Sequence, residues 1–357
     1  MSKKVAVAMS GGLDSSYALI KLKKEGYSVF GVTLKLFCYA DRPASPSSCC
    51  SIDAVRHARG ICKSLGVPHY VIDGEEVFGK EVIDYFIKAY KRGLTPNPCV
   101  VCNRKIKWGY LLDKAEEYGA EFIATGHYAR SSYWEEKKRY LLKCGLDREK
   151  DQAYYLWPLD QKQLSRTLFP LGEMTKREVR KDMENYDIKI ARKSESQEIC
   201  FIPDDDYRGF LRESGEVKVL EGNILSSSGE ILGTHKGYPF YTVGQRRGLG
   251  VSSKGRLYVK SIDIEKNEVI LGKYEELYRK EVLFSGGNFI SYEVPPEDKL
   301  FEGRIRYRGK AEQCKIKKVD EEKFLLTFIN PVWGVSPGQS VVIYEGDCVV
   351  GGGVICG

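Results

Sequence analysis

The sequence has no long apolar run near its start. The opening "MSKKVAVAMSGG" is too polar and too short in hydrophobic stretch for a signal peptide or a membrane-spanning helix. We therefore expect a cytoplasmic protein with no membrane partner. The eleven cysteines are an odd number, which argues against a purely paired disulfide framework, and the cytosol is reducing. Internal repeats and low-complexity tracts are not evident either.

What is present is the composition of a soluble globular protein, with 42% hydrophobic and 29% charged residues in 357. That length favours two or three domains. The net charge of +7 favours an acidic partner such as nucleic acid, although many unrelated enzymes are equally basic.

The order of secondary-structure patterns predicts the fold class. Strand patterns at 4–9, 27–34, 67–73 and 121–129 alternate with helical patterns at 51–65, 77–92, 106–118, 160–168 and 175–185. This alternation predicts an α/β fold with a doubly wound parallel sheet. After about residue 205, glycine-rich period-2 strands replace helices and predict two small β-rich domains, and we expect the last of them to be barrel-like. We predict domain boundaries at 1–205, 206–277 and 278–357.

The stretch "SGGLDSS" lies between the first strand and a helix that follows it. Backbone N–H groups of a glycine turn and a helix start form an anion site. Ser10, Ser15 and Ser16 can donate to phosphate oxygens, and Asp14 can bind Mg²⁺. The Gly-Lys-Ser/Thr ending of the Walker loop is lacking. The stretch resembles the PP-loop of the N-type ATP pyrophosphatases, which implies cleavage of ATP to AMP and pyrophosphate.

A Cys-x-x-Cys pair in "TPNPCVVCNRKIKWG" is followed by the cations Arg104, Lys105 and Lys107. Together with "AMSGGLDSS", "ATGHYAR", "KDQAYYL", "QEICFI", "GQRRGLG", "RYRG" and "SPGQSVV", it resembles the tRNA-specific 2-thiouridylases of the MnmA/TrmU type over nearly the whole chain. The resemblance implies a tRNA-uridine 2-sulfurtransferase, in which ATP adenylates the C2 oxygen of the wobble uridine in the anticodon loop. Sulfur then replaces that oxygen.

The same resemblance implies roles for individual residues. Cys200 takes the persulfide position and Cys102 the position of the attacking cysteine. The implied nucleotide site comprises Ala8, Met9, Ser10, Gly11, Gly12, Leu13, Asp14, Ser15, Leu34 and Gly126. The implied tRNA contacts are Asn97, Pro98, Cys99, His127, Lys150, Asp151, Gln152, Arg306, Tyr307 and Gln339. The implied partners are tRNA and a sulfur donor, either sulfide or a persulfide carrier protein.

The chain departs from the family pattern at Cys99, where the better-known pattern has aspartate. Cys99, Cys102 and Cys200 are therefore three candidate thiol ligands. Three thiolates suit a 4Fe–4S cluster with one iron left unligated by protein, which we favour slightly over the persulfide route. In the persulfide route Cys99 is a passive or resolving thiol. Zinc needs a fourth ligand that is not obvious nearby.

Two other functions remain open from the sequence: a PP-loop ligase for a small molecule, and a non-catalytic RNA-binding protein. Period-2 spacing in "RIRYR" predicts Arg304, Arg306 and Arg308 on one strand face. After the family resemblance, phosphate binding is the preferred interpretation of that face. We further expect electrostatic tRNA binding that includes Arg246 and Arg247.

Overall fold

The computed structural model describes residues 2–36, 52–186, 199–202, 205–217, 219–253 and 255–357. The chain folds into two compact units. Unit 1 comprises Met1–Ile83, Pro98–Asp205 and Asp347–Val349, and unit 2 comprises Asp84–Asn97, Asp206–Gly346 and Val350–Gly357. The predicted division into three domains is a different partition and stays a prediction.

Unit 1 is built on a parallel sheet. Its strands are β1 (Lys4–Ala8), β2 (Ser28–Lys35), β3 (His69–Asp73), β4 (Phe122–Ala124) and β7 (Thr167–Leu168). They lie in the order β3-β2-β1-β4-β7, and every neighbouring pair is parallel. A hairpin of β5 (Ala129–Trp134) and β6 (Arg139–Cys144) pairs further with Cys348 and Val349. The parallel sheet confirms the predicted fold class.

The helices of unit 1 are α1 (Leu13–Lys24), α2 (Ile52–Ser64), α3 (Glu75–Phe78), α5 (Pro98–Val101), α6 (Leu111–Glu117), α7 (Gln161–Ser165) and α8 (Lys176–Met183). Two π-helical segments, Gly79–Ile83 and Cys102–Tyr110, and a 3₁₀ turn, Ala153–Leu156, complete it. Successive side chains of a strand alternate between its two faces. Val5 and Val7 of β1 therefore share a core with Leu19 of α1, Ile61 of α2 and Val179 of α8.

Three predicted segments of unit 1 differ from the structure. The helix expected at 77–92 is divided by the π-helical segment Gly79–Ile83. The strand expected at 121–129 ends at Ala124, and residues 125–128 form a loop beyond the sheet. The helix expected at 160–168 ends at Ser165 because Thr167 and Leu168 pair with β4. In each case sheet pairing or helix geometry, rather than apolar spacing, sets the boundary.

Unit 2 contains α4 (Asp84–Lys91), α9 (Tyr207–Glu213) and two β structures. The first is a sheet of β8 (Gly222–Ser226), β9 (Ile231–His235), β10 (Tyr258–Asp263) and β11 (Glu268–Gly272), in the order β10-β11-β8-β9. The second comprises β12 (Tyr278–Phe289), β13 (Phe301–Arg304), β14 (Glu312–Lys318), β15 (Lys323–Trp333), β16 (Ser340–Glu345) and β17 (Cys348–Ile355), of which Cys348 and Val349 are assigned to unit 1. Pairing of β12 with β17 closes these six strands into a barrel.

The closed barrel confirms that the last β-rich part is barrel-like. Two expectations for this half were wrong. The segment after residue 205 opens with a helix, α9, capped by the Asp206 side chain, which accepts from Gly209 N. The strand predicted through "RIRYR" ends at Arg304, so Arg306 and Arg308 lie in a turn and do not share its face. Across the described ranges, no helix is both long and apolar enough to cross a membrane.

Candidate active site

The loop after β1 is closed by serine hydroxyls. Ser15 Oγ accepts from Ser10 N at 3.2 Å and donates to Gly12 O at 3.1 Å, and Ser16 Oγ donates to Gly12 O at 2.7 Å. Gly11 has φ +69°, and a Cβ there would lie 2.4 Å from Ala54 O of α2. The loop therefore needs glycine at position 11 and leads directly into α1, as the sequence predicts.

Three predicted nucleotide residues lie at the same edge of the sheet. Ala8 is at the carboxyl end of β1, Leu34 is near the carboxyl end of β2, and Gly126 follows β4. A Cβ on Gly126 would lie 2.8 Å from Ser15 N, so the loop after β4 lies against the start of α1. Ligands of parallel α/β sheets bind outside the carboxyl ends of the strands. The predicted nucleotide residues thus occupy one place in unit 1, although their contact with ATP stays a prediction.

Asp14, predicted to bind Mg²⁺, is held by two side chains that the sequence analysis did not identify. Lys176 Nζ lies 2.6 Å from both carboxylate oxygens of Asp14. The Tyr128 hydroxyl donates to Asp14 Oδ1 at 2.9 Å. Lys176 is 162 residues away in the sequence, so no local pattern could have connected it to the loop. Tyr128 stands in the quoted "ATGHYAR" motif, which was the available signal for it.

Cys99 lies in α5 and Cys102 in the π-helical segment that follows it directly. Pro98 begins α5, and Cys102 begins the π-helical segment. Residues three apart on a helix are neighbours on one face. Cys99 is exposed and Cys102 is half-buried. Asn103, which is buried, donates Nδ2 to Tyr155 O at 3.0 Å and fixes the helix beside Cys102.

Cys200 belongs to the same unit and is half-buried. Its neighbour Phe201 is buried, with its ring centroid 5.7 Å from that of Phe78 in edge-on contact. Phe78 ends α3, which in turn contacts the π-helical segment that begins at Cys102. The packing of Phe201 therefore places Cys200 beside α3, which contacts that segment.

The described residues contain no group of three or more His, Cys, Asp or Glu side chains that could hold a metal ion. Cys99, Cys102 and Cys200 are all among the residues searched. An iron–sulfur cluster or a zinc ion on these three cysteines stays a prediction.

Several residues predicted to contact tRNA also hold the fold. Asp151 is buried and accepts from Gly145 N at 2.9 Å, and Gln152 Oε1 accepts from Tyr128 N at 3.1 Å. In unit 2, Gln339 Nε2 donates to Thr95 O at 3.0 Å, which positions the segment leading to Asn97. Lys150 and Tyr307 are half-buried. Their direct contact with tRNA stays a prediction.

Arg306 has structural bonds within unit 2. Its Nη2 donates to Val243 O at 2.9 Å and to Gly334 O at 2.6 Å, and its guanidinium lies 5.6 Å from the centre of the Trp333 ring. Arg308 is exposed. The two arginines that the sequence treated alike therefore have different environments.

His127 lies in the loop after β4. Its Nδ1 is 2.8 Å from Thr125 Oγ1. Burial of the imidazole and, second, the nearby Lys107 charge hold the pKa of His127 well below its usual range. His127 is therefore neutral at pH 7, so any contact with tRNA would be a hydrogen bond rather than an ion pair.

Comparison with known proteins agrees with this architecture. Three family models match in succession: "tRNA methyl transferase HUP domain" at residues 3–204, "tRNA methyl transferase PRC-barrel domain" at 208–273, and "Aminomethyltransferase beta-barrel domain" at 279–355. The chain therefore belongs to a class of proteins in which a HUP domain is followed by two barrel domains.

Individual proteins similar to this chain identify the family within that class. The chain is 46% identical over 357 residues to "tRNA-specific 2-thiouridylase MnmA 2" of Thermoanaerobacter sp. (strain X514), covering 99% of this chain and 98% of the relative. It is 48% identical to "tRNA-specific 2-thiouridylase MnmA 1" of Caldanaerobacter subterraneus subsp. tengcongensis, with the same coverage. It is 46% identical over 351 residues to the MnmA protein of Moorella thermoacetica, covering 98% of each chain. The chain belongs to the tRNA-specific 2-thiouridylase (MnmA) family.

Proposed function

We propose that this protein is a tRNA-uridine 2-sulfurtransferase that uses ATP and Mg²⁺ to convert the wobble uridine of tRNA to 2-thiouridine. The observation that carries the proposal is 46–48% identity, over nearly the full length of each chain, to relatives named for this activity. The glycine–serine loop at the carboxyl edge of the sheet supports it, because adenylation requires a site for phosphates.

The first step is adenylation. The C2 oxygen of uridine attacks the α-phosphorus of ATP, the bond from that phosphorus to the bridging oxygen breaks, and pyrophosphate leaves. The proton on N3 of the uracil passes to solvent. The hydroxyl groups and backbone N–H groups around Ser10, Gly12 and Ser15 bind the phosphates, and Asp14 would hold Mg²⁺, which would supply positive charge to the phosphate chain. The target base must leave the anticodon-loop stack to reach the site, at a cost of a few kcal/mol.

The second step is sulfur transfer. A persulfide on Cys200 attacks C2 with its terminal sulfur, and AMP leaves. Cys102 then attacks Cys200 Sγ as a thiolate, which forms a Cys102–Cys200 disulfide and releases the sulfur on the uridine. A dithiol reductant restores the two thiols, and a sulfur donor reloads Cys200. The contacts from Phe201 through Phe78 support a Cys200 that reaches Cys102.

The iron–sulfur route remains the alternative hypothesis. It requires Cys99, Cys102 and Cys200 as ligands at one centre, and the described residues contain no group of three or more side chains found to be able to hold a metal ion. We therefore assign no step to a cluster, and Cys99 has no essential role in the persulfide route.

Thiolation assays on anaerobically purified protein test both routes. We expect Cys102→Ala and Cys200→Ala to abolish 2-thiouridine formation, while Cys200→Ala still releases pyrophosphate when tRNA is present. Cys99→Ala should retain most of the activity, as should the control Cys356→Ala, a cysteine that is half-buried like Cys102 and Cys200. Bound iron, together with thiolation from inorganic sulfide alone and its loss in Cys99→Ala, would establish the cluster instead.

The same assay separates the other functions. A ligase for a small molecule would release pyrophosphate without tRNA, and a non-catalytic RNA-binding protein would bind tRNA without turning over ATP. Either result in the wild-type protein would contradict the proposal.

A further inference from the structure

The strongest unassigned feature of unit 1 is the ion pair between Lys176 and Asp14. Lys176 is only 7% exposed, and lysine is rarely buried unless it is paired. The Asp14 side chain is a third exposed and lies at the start of α1, directly after the glycine turn. The buried ammonium is therefore held at the phosphate loop rather than in the apolar core.

The backbone of Lys176 is fixed independently of this ion pair. Thr175 caps α8 through a reciprocal bond with Glu178, and Lys176 N donates to Asp147 Oδ2 at 2.9 Å. These bonds hold the first turn of α8, so they do not depend on which group the Lys176 ammonium contacts. Besides Asp14, the ammonium lies 5.8 Å from the centre of the Tyr128 ring.

A metal ion bound by Asp14 would compete with the donors that the carboxylate already has. A carboxylate offers about four lone-pair positions, and its two oxygens already face Lys176 Nζ and the Tyr128 hydroxyl. Arrival of Mg²⁺ on Asp14 would repel the ammonium, and the phosphates of ATP would attract it. Both forces move Lys176 from the carboxylate to the phosphate chain.

We propose that Lys176 is a phosphate-binding catalytic residue for the adenylation step. Before nucleotide binds, Asp14 holds its ammonium at the loop. With Mg²⁺·ATP bound, Asp14 would hold the metal ion, and the Lys176 ammonium binds the β- and γ-phosphates and offsets the negative charge of the leaving pyrophosphate. Lys176 stays protonated throughout and forms no covalent bond. That tRNA uridine accepts the adenylate rests on the proposed function, whereas the binding of pyrophosphate by Lys176 does not.

Lys176→Met keeps the length of the side chain and removes the charge. Its matched control is Lys181→Met, an exposed lysine of the same helix. Loss of one preorganised charge-stabilising group costs on the order of 10²–10³ in kcat. We expect that loss in tRNA-dependent pyrophosphate release for Lys176→Met, with at least tenfold weaker inhibition by added pyrophosphate and little change in inhibition by AMP. Lys176→Arg should recover part of the rate, and Lys181→Met should match the wild type.

A second measurement guards against misfolding caused by an unpaired Asp14 carboxylate. Asp14→Asn/Lys176→Met removes both charges together, and thermal melting with and without Mg²⁺ and inorganic pyrophosphate reports binding. Pyrophosphate should raise the melting temperature of wild type, Lys181→Met and, less strongly, Asp14→Asn, but not of the double variant. Equal stabilisation of the double variant and Asp14→Asn, or a Lys176→Met rate within threefold of wild type, would overturn the inference. If instead the proposed function is wrong, the wild-type protein itself will release no pyrophosphate in the presence of tRNA, so the two outcomes can be distinguished.

Discussion

Replacing each of the two loop glycines by alanine tests which of them the loop conformation requires. Gly11 has φ +69°, and a Cβ on it would lie 2.4 Å from Ala54 O and 2.9 Å from Ala54 Cα. Gly12 has φ −93°, and its nearest neighbour would be Ser10 Oγ at 3.4 Å. We expect Gly11→Ala to disrupt the loop and Gly12→Ala to be tolerated, although the two residues are adjacent and chemically identical.

The magnitudes follow from these contacts. A left-handed conformation costs a residue with a Cβ about 1–2 kcal/mol, and overpacking against a backbone that cannot move costs about 1–3 kcal/mol. Gly11→Ala should therefore lower the free energy of unfolding of unit 1 by about 2–5 kcal/mol. At Gly12, the residue before the first turn of α1, alanine should cost no more than about 1 kcal/mol.

Urea unfolding followed by tryptophan fluorescence measures this difference, because Trp108, Trp134 and Trp157 lie in unit 1. The second readout is the affinity for ATP, measured without urea at a temperature at which both variants are folded. Equal unfolding midpoints for Gly11→Ala and Gly12→Ala would refute the steric reasoning. A stable Gly12→Ala that no longer binds ATP would show instead that phosphate approaches the backbone at Gly12.

Two further predictions concern residues whose structural surroundings differ from their sequence pattern. Arg306→Lys should destabilise unit 2 by about 1–3 kcal/mol, because lysine cannot maintain the bonds to two carbonyl groups, whereas exposed Arg308→Lys should leave the unfolding curve unchanged. If both variants unfold alike, Arg306 has no structural role. The depressed pKa of His127 means that the unfolded chain takes up a proton below about pH 6.5 that the folded chain does not. Stability contributed by neutral His127 is present above that pH and is lost as pH falls, by up to about 1.4 kcal/mol per pH unit. His127→Gln should remove this slope in urea unfolding between pH 7 and 5, and an unchanged slope would contradict it.

Much of the architecture could be predicted from sequence because its signals are local. The apolar run of β1, the glycine turn and the spacing of Ala18, Leu19 and Leu22 are contiguous, and they predict a strand, a loop and a helix in that order. The parallel sheet followed from the alternation of such patterns, and the β-rich end followed from the period-2 strands after about residue 205. Boundaries failed where pairing with a distant strand determined them, as at Thr167, or where a side-chain cap began an unexpected helix, as at Asp206.

The site divides in the same way. The sequence by itself identified the loop, the cysteines and the family, because each rests on residue types in a fixed order along the chain. Only the tertiary structure decided what each side chain contacts. It brought Lys176 to Asp14 across 162 residues, placed Gly126 against the start of α1, and turned Arg306 toward backbone carbonyl groups. Such contacts depend on where helices and loops pack against the sheet, and packing geometry leaves no pattern in the neighbouring sequence.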